Sequence, residues 1–179
     1  KSFILMSDMP INSCLNKITA LTYAKKLINV SADIVKIEYR NENRSIIEAL
    51  VSENIPVCGH LGFLPQYALE KKDIRIYGKI QSEHNQILEQ AKTLENLGVD
   101  IILLECVDKE LSKLITRSTN IPVIGIGSGK NCNGQVQVLY DIIGISAKAP
   151  KFSKNYLKDS SSIIEAIKKF HDYVKSINK

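Results

Sequence analysis

Ile101-Ile102-Leu103-Leu104-Glu105 is the stretch that decides the fold class, because four consecutive aliphatic residues end in a carboxylate. A short, continuous apolar run of this kind is typical of a parallel β-strand that is covered on both faces. The preceding residues, 83–97, carry apolar side chains at helical spacing and stop at Gly98, a residue type that commonly ends helices. The stretch therefore predicts one helix-and-strand unit of a parallel α/β fold.

The same unit recurs along the chain. Apolar runs predict further strands at 3–6, 34–37, 55–58 and 121–126, and a weaker pattern predicts one at 135–140. Polar segments with helical periodicity predict helices at 14–30, 42–53, 82–97, 108–118 and 161–177. Repeated strand–helix units form either an open doubly wound sheet or a barrel.

Polar side chains at the predicted strand ends favour the barrel. They follow apolar runs on four different strands: Asp8, Lys36, Glu38, His60 and Glu105. Barrel enzymes draw catalytic groups from the carboxyl ends of several strands, whereas a doubly wound sheet concentrates them at one switch point. We therefore predict that residues 1–179 form a single catalytic (βα)8 barrel domain. Since a barrel has eight strands, we expect roughly the first two strand–helix units, and the natural N-terminus, upstream of Lys1.

Composition argues against several other classes of protein. The formal net charge of +5 is spread over the chain rather than gathered in a basic stripe, so we expect no nucleic-acid partner. No apolar stretch reaches the ~20 residues that span a bilayer, and no secretory signal is visible, so we expect no membrane partner. The four cysteines form no C-x-x-C pair, which argues against a zinc site or a disulfide framework. We expect a cytoplasmic protein.

Asp8, Lys36 and Glu38 form the first group of candidate site residues. Side chains two apart on a strand point to the same face, so Lys36 and Glu38 should both project into the barrel mouth. Carboxylates from two neighbouring strands offer only oxygen donors, which suit a hard cation such as Mg²⁺. A structural ion pair between Lys36 and Glu38 explains the same pattern equally well, and the sequence leaves both interpretations open.

Glu105 and His60 form the second group. A carboxylate that ends so apolar a strand would be partly desolvated, which favours a general base, although it could equally reach solvent or cap a helix. His60 lies between glycines that allow close backbone approach, and it could bind substrate or be a hydrogen-bonding core residue. The glycine-rich run 125–129 could bring backbone amides to an anion, but it lacks the spacing of a dinucleotide fingerprint or a Walker loop.

Together these segments resemble the ketopantoate hydroxymethyltransferase family. The matching blocks follow the family's order and spacing over essentially the whole chain: D-M-P (8–10), V-K-I-E (35–38), I-P-V-C-G-H-L-G-F-L-P-Q (55–66), L-L-E-C-V (103–107), I-P-V-I-G-I-G-S-G (121–129), G-Q-V-Q-V (134–138) and P-K-F-S-K-N-Y (150–156). The sequence departs from the family pattern at Tyr39-Arg40, where a glycine pair is usual, and at Asn133, where an aspartate is usual. A Gly-Asp-Ser segment that supplies a further metal ligand in the family precedes the part of the pattern seen here.

The resemblance implies a fold, a reaction and residue roles. The implied fold is a (βα)8 barrel of the phosphoenolpyruvate/pyruvate type, assembled into a ring-like homo-oligomer that is a decamer in the family. The implied reaction transfers a hydroxymethyl group from 5,10-methylenetetrahydrofolate to 3-methyl-2-oxobutanoate, with Mg²⁺ as the metal. Asp8 and Glu38 would hold the metal, and Glu105 would be the base. Asp8, Lys36 and His60 would contact the small-molecule substrate.

Two alternatives to this reaction stay open. One is another Mg²⁺-dependent 2-oxo-acid lyase of the same barrel superfamily, which would share the enolate chemistry but not the folate. The other is a barrel remnant without catalysis that only assembles with partners.

Overall fold

The computed structural model describes residues 3–68 and 74–177, and its strands form one parallel sheet. The strands of the described ranges are β1 (Met6–Asp8), β2 (Ile34–Glu38), β3 (Val57–Gly62), β4 (Ile101–Glu105), β5 (Val123–Ile126) and β6 (Gly134–Gln135). The helices are α1 (Lys17–Asn29), α2 (Arg44–Ser52), α3 (Gln81–Leu97), α4 (Lys109–Ser118), α5 (Leu139–Ile142) and α6 (Ile163–Ile177). Each strand pairs with the next along the chain, in the order β1-β2-β3-β4-β5-β6.

This six-stranded parallel sheet is a half-barrel. Its strand order follows chain order without reversal, whereas a doubly wound sheet reverses at its switch point. Helices pack on one face of the sheet and form the main core, which includes Val35, Val57, Ile102 and Leu104. The alternate residues form the other face, called the inner face here, with a smaller apolar cluster of Ile34, Cys58 and Leu103. The predicted parallel α/β fold of the barrel kind is confirmed to this extent.

Several strand boundaries differ from the sequence prediction because pairing partners, not apolar runs, set them; β5, for example, begins at Val123 rather than at 121. β1 begins at Met6, where its register with β2 starts, and Phe3 and Ile4 before it are exposed. β3 begins at Val57 rather than at 55, and it runs on to Gly62 because its pairing with β4 extends that far. The prediction of strands at 3–6 and 55–58 was therefore wrong in its limits.

The weak strand pattern at 135–140 is divided between two elements. Only Gly134 and Gln135 pair with β5. The carbonyl of Val138 then accepts the N–H groups of Asp141 and Ile142, which starts the short helix α5. The prediction of a strand through 140 was wrong because the chain leaves the sheet after Gln135 and enters helix α5 at Leu139.

Side-chain caps set the helix boundaries more narrowly than periodicity does. The side chain of Asn16 accepts the N–H of Thr19 at 2.9 Å, so α1 begins at Lys17. Gly98 ends α3 with φ of 83°, the left-handed conformation that glycine adopts at low cost. The predicted helices are thus present; four have slightly shorter limits, and α3 begins one residue earlier than predicted, at Gln81.

The cysteines are all free thiols, and Cys58, Cys106 and Cys132 are buried. Over residues 3–68 and 74–177, none of the helices has the length and apolar character needed to cross a membrane.

Candidate active site

The strands bring the predicted site residues to the carboxyl end of the inner face. The register pairs that do so are Asp8↔Lys36, Glu38↔His60 and Gly62↔Glu105. Neighbouring parallel strands project paired residues on the same side, and residues two apart on one strand share a face. The site is therefore built by four neighbouring strands rather than by one loop.

Lys36 forms an ion pair with Asp8 across β1 and β2. Lys36 Nζ lies 3.1 Å from Asp8 Oδ1, and the lysine side chain is 15% exposed while that of Asp8 is 64% exposed. The ammonium is thus shielded and the Asp8 carboxylate reaches solvent. The Lys36–Glu38 ion pair considered from the sequence is not formed, because the register places Asp8 beside Lys36.

Glu38 is the most buried of the three site carboxylates, at 5% exposed. Both of its oxygens accept the backbone N–H of Gln66 at 3.1 Å. Burial raises the pKa of Glu38, and the neighbouring carboxylates of Glu105 and Asp8 raise it further. The Gln66 N–H and the charge of Lys36 act in the opposite direction. A cation beside Glu38 would favour its ionised form.

His60 and Glu105 face each other on β3 and β4. His60 is 1% exposed, and its Nε2 lies 3.3 Å from Glu105 Oε2. Within the described residues, neither ring nitrogen has an aligned hydrogen-bond partner. Burial lowers the pKa of His60 against the opposing effect of the Glu105 carboxylate, so the ring is neutral at pH 7. Buried polar atoms normally have partners, so the two ring nitrogens favour ligand binding over a core role.

Sequence reasoning missed the residues that hold Glu38. Gln66 donates its backbone N–H to the Glu38 carboxylate and its side-chain amide to the carbonyl of Met9, at 2.9 Å. Asn43 donates to the carbonyl of Glu38 at 2.8 Å. The only sequence feature that singled out Gln66 was its position at the end of the block 55–66. A backbone N–H donor leaves no pattern in the sequence, because every residue except proline has one.

The glycine-rich run 125–129 supports the strand that carries Glu105. Ser128, which is buried, donates to the carbonyl of Leu104 at 2.8 Å and accepts the N–H of Val107 at 3.0 Å. The serine hydroxyl therefore fixes the backbone on both sides of Glu105. The sequence pattern alone had suggested only an anion-binding role for this run.

The two departures from the family pattern both make local contacts. The Arg40 guanidinium lies over the ring of Tyr67, 4.7 Å from its centroid, and the Arg40 N–H donates to Asn43. Asn133 accepts the N–H of Val123 at 2.9 Å, so the amide at this position still serves as an acceptor at the start of β5.

Asp8 and Glu38 were predicted as metal ligands. Residues 3–68 and 74–177 hold no cluster of three or more His, Cys, Asp or Glu side chains placed to bind a metal. The two carboxylates nevertheless suit Mg²⁺, which takes oxygen ligands and keeps several waters or substrate oxygens. The charges of the site also suit a cation. The site has three carboxylates, those of Asp8, Glu38 and Glu105, but only one ammonium, that of Lys36. His60 adds no charge because its ring is neutral.

A parallel half-barrel that carries titratable side chains at the carboxyl ends of four neighbouring strands is typical of barrel enzymes. The chain belongs to the ketopantoate hydroxymethyltransferase family, whose profile matches residues 1–178. This membership confirms the resemblance seen in the sequence.

Relatives in sequence agree with this assignment, and one solved structure shares the fold. The 3-methyl-2-oxobutanoate hydroxymethyltransferase of Ruthia magnifica is 42% identical over 171 residues, which cover 95% of this chain and 66% of that protein. The protein of the same name from Buchnera aphidicola (strain 5A) is 39% identical, over 93% of this chain and 64% of its own. The chain therefore spans slightly less than two thirds of the length of these relatives. A crystal structure described as a candidate phosphonomutase, from Burkholderia cenocepacia, shares the fold with a TM-score of 0.53 at 13% identity, covering 70% of this chain and 54% of its own.

Proposed function

We propose that this protein transfers a hydroxymethyl group from 5,10-methylenetetrahydrofolate to 3-methyl-2-oxobutanoate, which gives 2-dehydropantoate for pantothenate biosynthesis. The observation that carries the proposal is the contact of His60 with Glu105, at 3.3 Å, on the same face as the Asp8–Lys36 pair. The names of the relatives describe hydroxymethyl transfer to 3-methyl-2-oxobutanoate, which supports this part of the proposal.

Glu105 takes the proton from carbon 3 of the oxo acid. Its side chain is 19% exposed and lies against the buried His60, so it is reachable by a small acid yet partly shielded from water. Lys36 stabilises the negative charge that develops on the ketone oxygen as the C–H bond breaks. His60, which is neutral, donates a ring N–H to an oxygen of the oxo acid. Mg²⁺ held by Asp8 and Glu38 would supply Lewis-acid stabilisation of the same charge.

The remaining steps transfer the one-carbon unit. The enolate carbon bonds to the methylene carbon of the folate, and the two C–N bonds of that carbon break. Water supplies the hydroxyl oxygen of the product. The proton taken by Glu105 and the proton left by water go to the two folate nitrogens, so tetrahydrofolate leaves.

The setting of this reaction forms part of the proposal. We expect the half-barrel to belong to a closed (βα)8 barrel of the phosphoenolpyruvate/pyruvate type, since its strands already follow chain order. We also expect a ring-like homo-oligomer in the cytoplasm that acts on small molecules without a nucleic-acid or membrane partner.

The proposal is tested by replacing the base. In Glu105→Gln we expect formation of 2-dehydropantoate to fall by about 10²–10⁴-fold, the usual share of a general base. Exchange of the carbon-3 hydrogen of the oxo acid in D₂O, measured by NMR without folate, should fall in parallel because it needs only the base. Glu89→Gln, on the exposed surface of α3, is the matched control and should leave both rates unchanged.

Two results would count against the proposal. Undiminished exchange in Glu105→Gln would remove Glu105 from the base role. Exchange without folate-dependent product, together with cleavage of a hydroxy diacid, would favour the oxo-acid lyase instead.

A further inference from the structure

The residue that follows Glu105 has a left-handed backbone. Cys106 has φ of 53°, in a region that residues with a Cβ rarely adopt. In the described ranges, the other residues besides glycine with positive φ are Asn12, Ser31 and Asn54, and all three are exposed. Cys106 is instead 3% exposed. Strained backbone of this kind persists only where its surroundings fix it, and it is common at functional sites.

The side chain of Cys106 does not explain the strain. Burial raises the pKa of its thiol to about 11, from 9.0, so the thiol stays protonated at neutral pH and is a poor nucleophile. Cysteine also lacks the short amide or carboxylate with which asparagine and aspartate stabilise a left-handed backbone. The reason for the conformation therefore lies in the path of the main chain after Glu105.

Three neighbouring segments hold the main chain of this turn. From the end of β3, the N–H of Phe63 donates to the carbonyl of Glu105 at 2.8 Å. The N–H of Cys106 donates to the carbonyl of Ile126, in β5, at 2.9 Å. From the loop before α3, the N–H of Tyr77 donates to the carbonyl of Cys106 at 2.8 Å. Since φ rotates the carbonyl about the N–Cα bond, an ordinary φ at Cys106 would turn this carbonyl away from Tyr77.

A buried hydroxyl adds a fourth restraint. Ser128 donates to the carbonyl of Leu104 and accepts the N–H of Val107, so it links the residues on either side of Glu105 and Cys106. Val107 also lies beside the loop before α3, with which it forms a parallel bridge. The backbone from 104 to 107 is thus bonded to strands on both sides and to this loop.

The carboxylate of Glu105 depends on this backbone because its side-chain contact does not fix it. Glu105 Oε2 lies 3.3 Å from His60 Nε2, but within the described residues the ring nitrogen has no aligned hydrogen bond. A reacting group that is misplaced by about 1 Å can lose about 10²-fold in rate. The position of the carboxylate is therefore set mainly by where β4 ends and how the chain turns after it.

We infer that Cys106 is a positioning residue, whose left-handed turn ends β4 at Glu105 and holds the carboxylate against His60 on the inner face. The inference rests on the proposed function, in which Glu105 is the base. It assigns the role to the backbone conformation at Cys106 and not to the thiol.

The test compares side chains at residue 106 that differ in how well they tolerate a left-handed backbone. Cys106→Val introduces a β-branched residue, for which positive φ is a true outlier. We expect exchange of the carbon-3 hydrogen of the oxo acid in D₂O, per folded molecule, to fall about 10- to 100-fold while the KM for the oxo acid is unchanged. Cys106→Gly should lose far less of the rate, because glycine adopts this conformation at low cost. The folded fraction is measured by circular dichroism.

Cys132→Val is the matched control. It makes the same substitution at another buried thiol, which belongs to the main core on the helix-packed face and has no left-handed backbone. Exchange per folded molecule should be unaffected. If Cys106→Val does not fold, Ser128→Ala decides the matter. It should lower the exchange rate, and adding Cys106→Gly should restore part of it, since glycine keeps the turn without the hydroxyl.

The outcomes separate this inference from the proposed function. Exchange that is equal in Cys106→Val and the parent, or that falls as far in Cys106→Gly as in Cys106→Val, overturns the positioning role while the proposed reaction stands. In the second design, unchanged exchange in Ser128→Ala or no recovery on adding Cys106→Gly has the same meaning. Absence of exchange in the parent protein overturns the proposed function itself, and the positioning role with it.

Discussion

Cys58 occupies the inner face of β3, two residues before His60, and is fully buried. It packs with Ile34 and Leu103 in the small apolar cluster below the site. Burial raises the pKa of the Cys58 thiol to about 12, from 9.0. A thiol that stays protonated at neutral pH is a small apolar filler rather than a nucleophile. The reactive groups of this face are thus its oxygen and nitrogen side chains.

Alkaline pH should destabilise the protein through this thiol. The unfolded state loses the Cys58 proton near pH 9.0 and the folded state only near 12, so the stabilising contribution is complete below 9.0 and is lost as the pH rises towards 12. The loss from one such group is about 1.4 kcal/mol per pH unit within that window. Urea denaturation of Cys58→Ala should show lower stability throughout, because of the cavity, but a shallower decline above pH 9.0 than the parent. Parallel declines in the two proteins would contradict this account.

The residue-level prediction from sequence succeeded where spacing alone decides and failed where register decides. A separation of two residues was enough to place Lys36 and Glu38 on one face. The ion-pair partner of Lys36 depends on the pairing of β1 with β2, which no local pattern fixes. Gln66 was missed for a related reason, because it holds Glu38 by a backbone N–H that any residue there could supply.

At the scale of elements, β3 shows how a neighbour sets a strand's length. Its last residue, Gly62, has φ of 95°, and a Cβ at this position would overlap the backbone oxygen of Glu105. Glycine therefore lets the end of β3 approach the end of β4, which carries the proposed base. The apolar run 55–58 gave no sign of this extension, since Gly59 and Gly62 weaken the strand pattern.

Gly62→Ala should lower the free energy of unfolding. We expect a loss of about 1–3 kcal/mol from the left-handed backbone alone, with more from the overlap at Glu105. Gly134→Ala is the control in another strand, because its Cβ would meet only Ile124 Cγ1 at 3.6 Å, an ordinary contact. Urea denaturation of both variants measures the difference, and equal stability of the two would show that the close approach is not needed.

At the scale of the whole molecule, the charge of the site is opposite to that of the chain. The chain carries a formal net charge of +5, whereas the inner-face site has three carboxylates and one ammonium. The local field at the site is therefore negative and would attract a divalent cation, although the net charge of the whole chain is positive. The family relation was predictable at this scale, because motif blocks are spread over the whole chain.

Glu38→Gln should weaken binding of Mg²⁺ in the absence of substrate, by roughly tenfold or more, because a charged ligand becomes neutral. Glu42→Gln serves as the control. Glu42 lies between β2 and α2, shortly after Glu38, and its carboxylate pairs with Arg40. Titration calorimetry on both variants gives the affinities. Equal affinity in Glu38→Gln and the parent would exclude Glu38 as a ligand.

The sequential strand order has a consequence for how the chain folds during synthesis. Each strand bonds to the strand made just before it, so every new strand–helix unit can dock on an edge that already exists. The contact between His60 and Glu105 can form only after β4 has left the ribosome, because the two residues are far apart in the chain. The growing polypeptide thus presents the open edge of its latest strand to solvent until the following strand arrives, and the rate of translation sets how long that edge is exposed to aggregation.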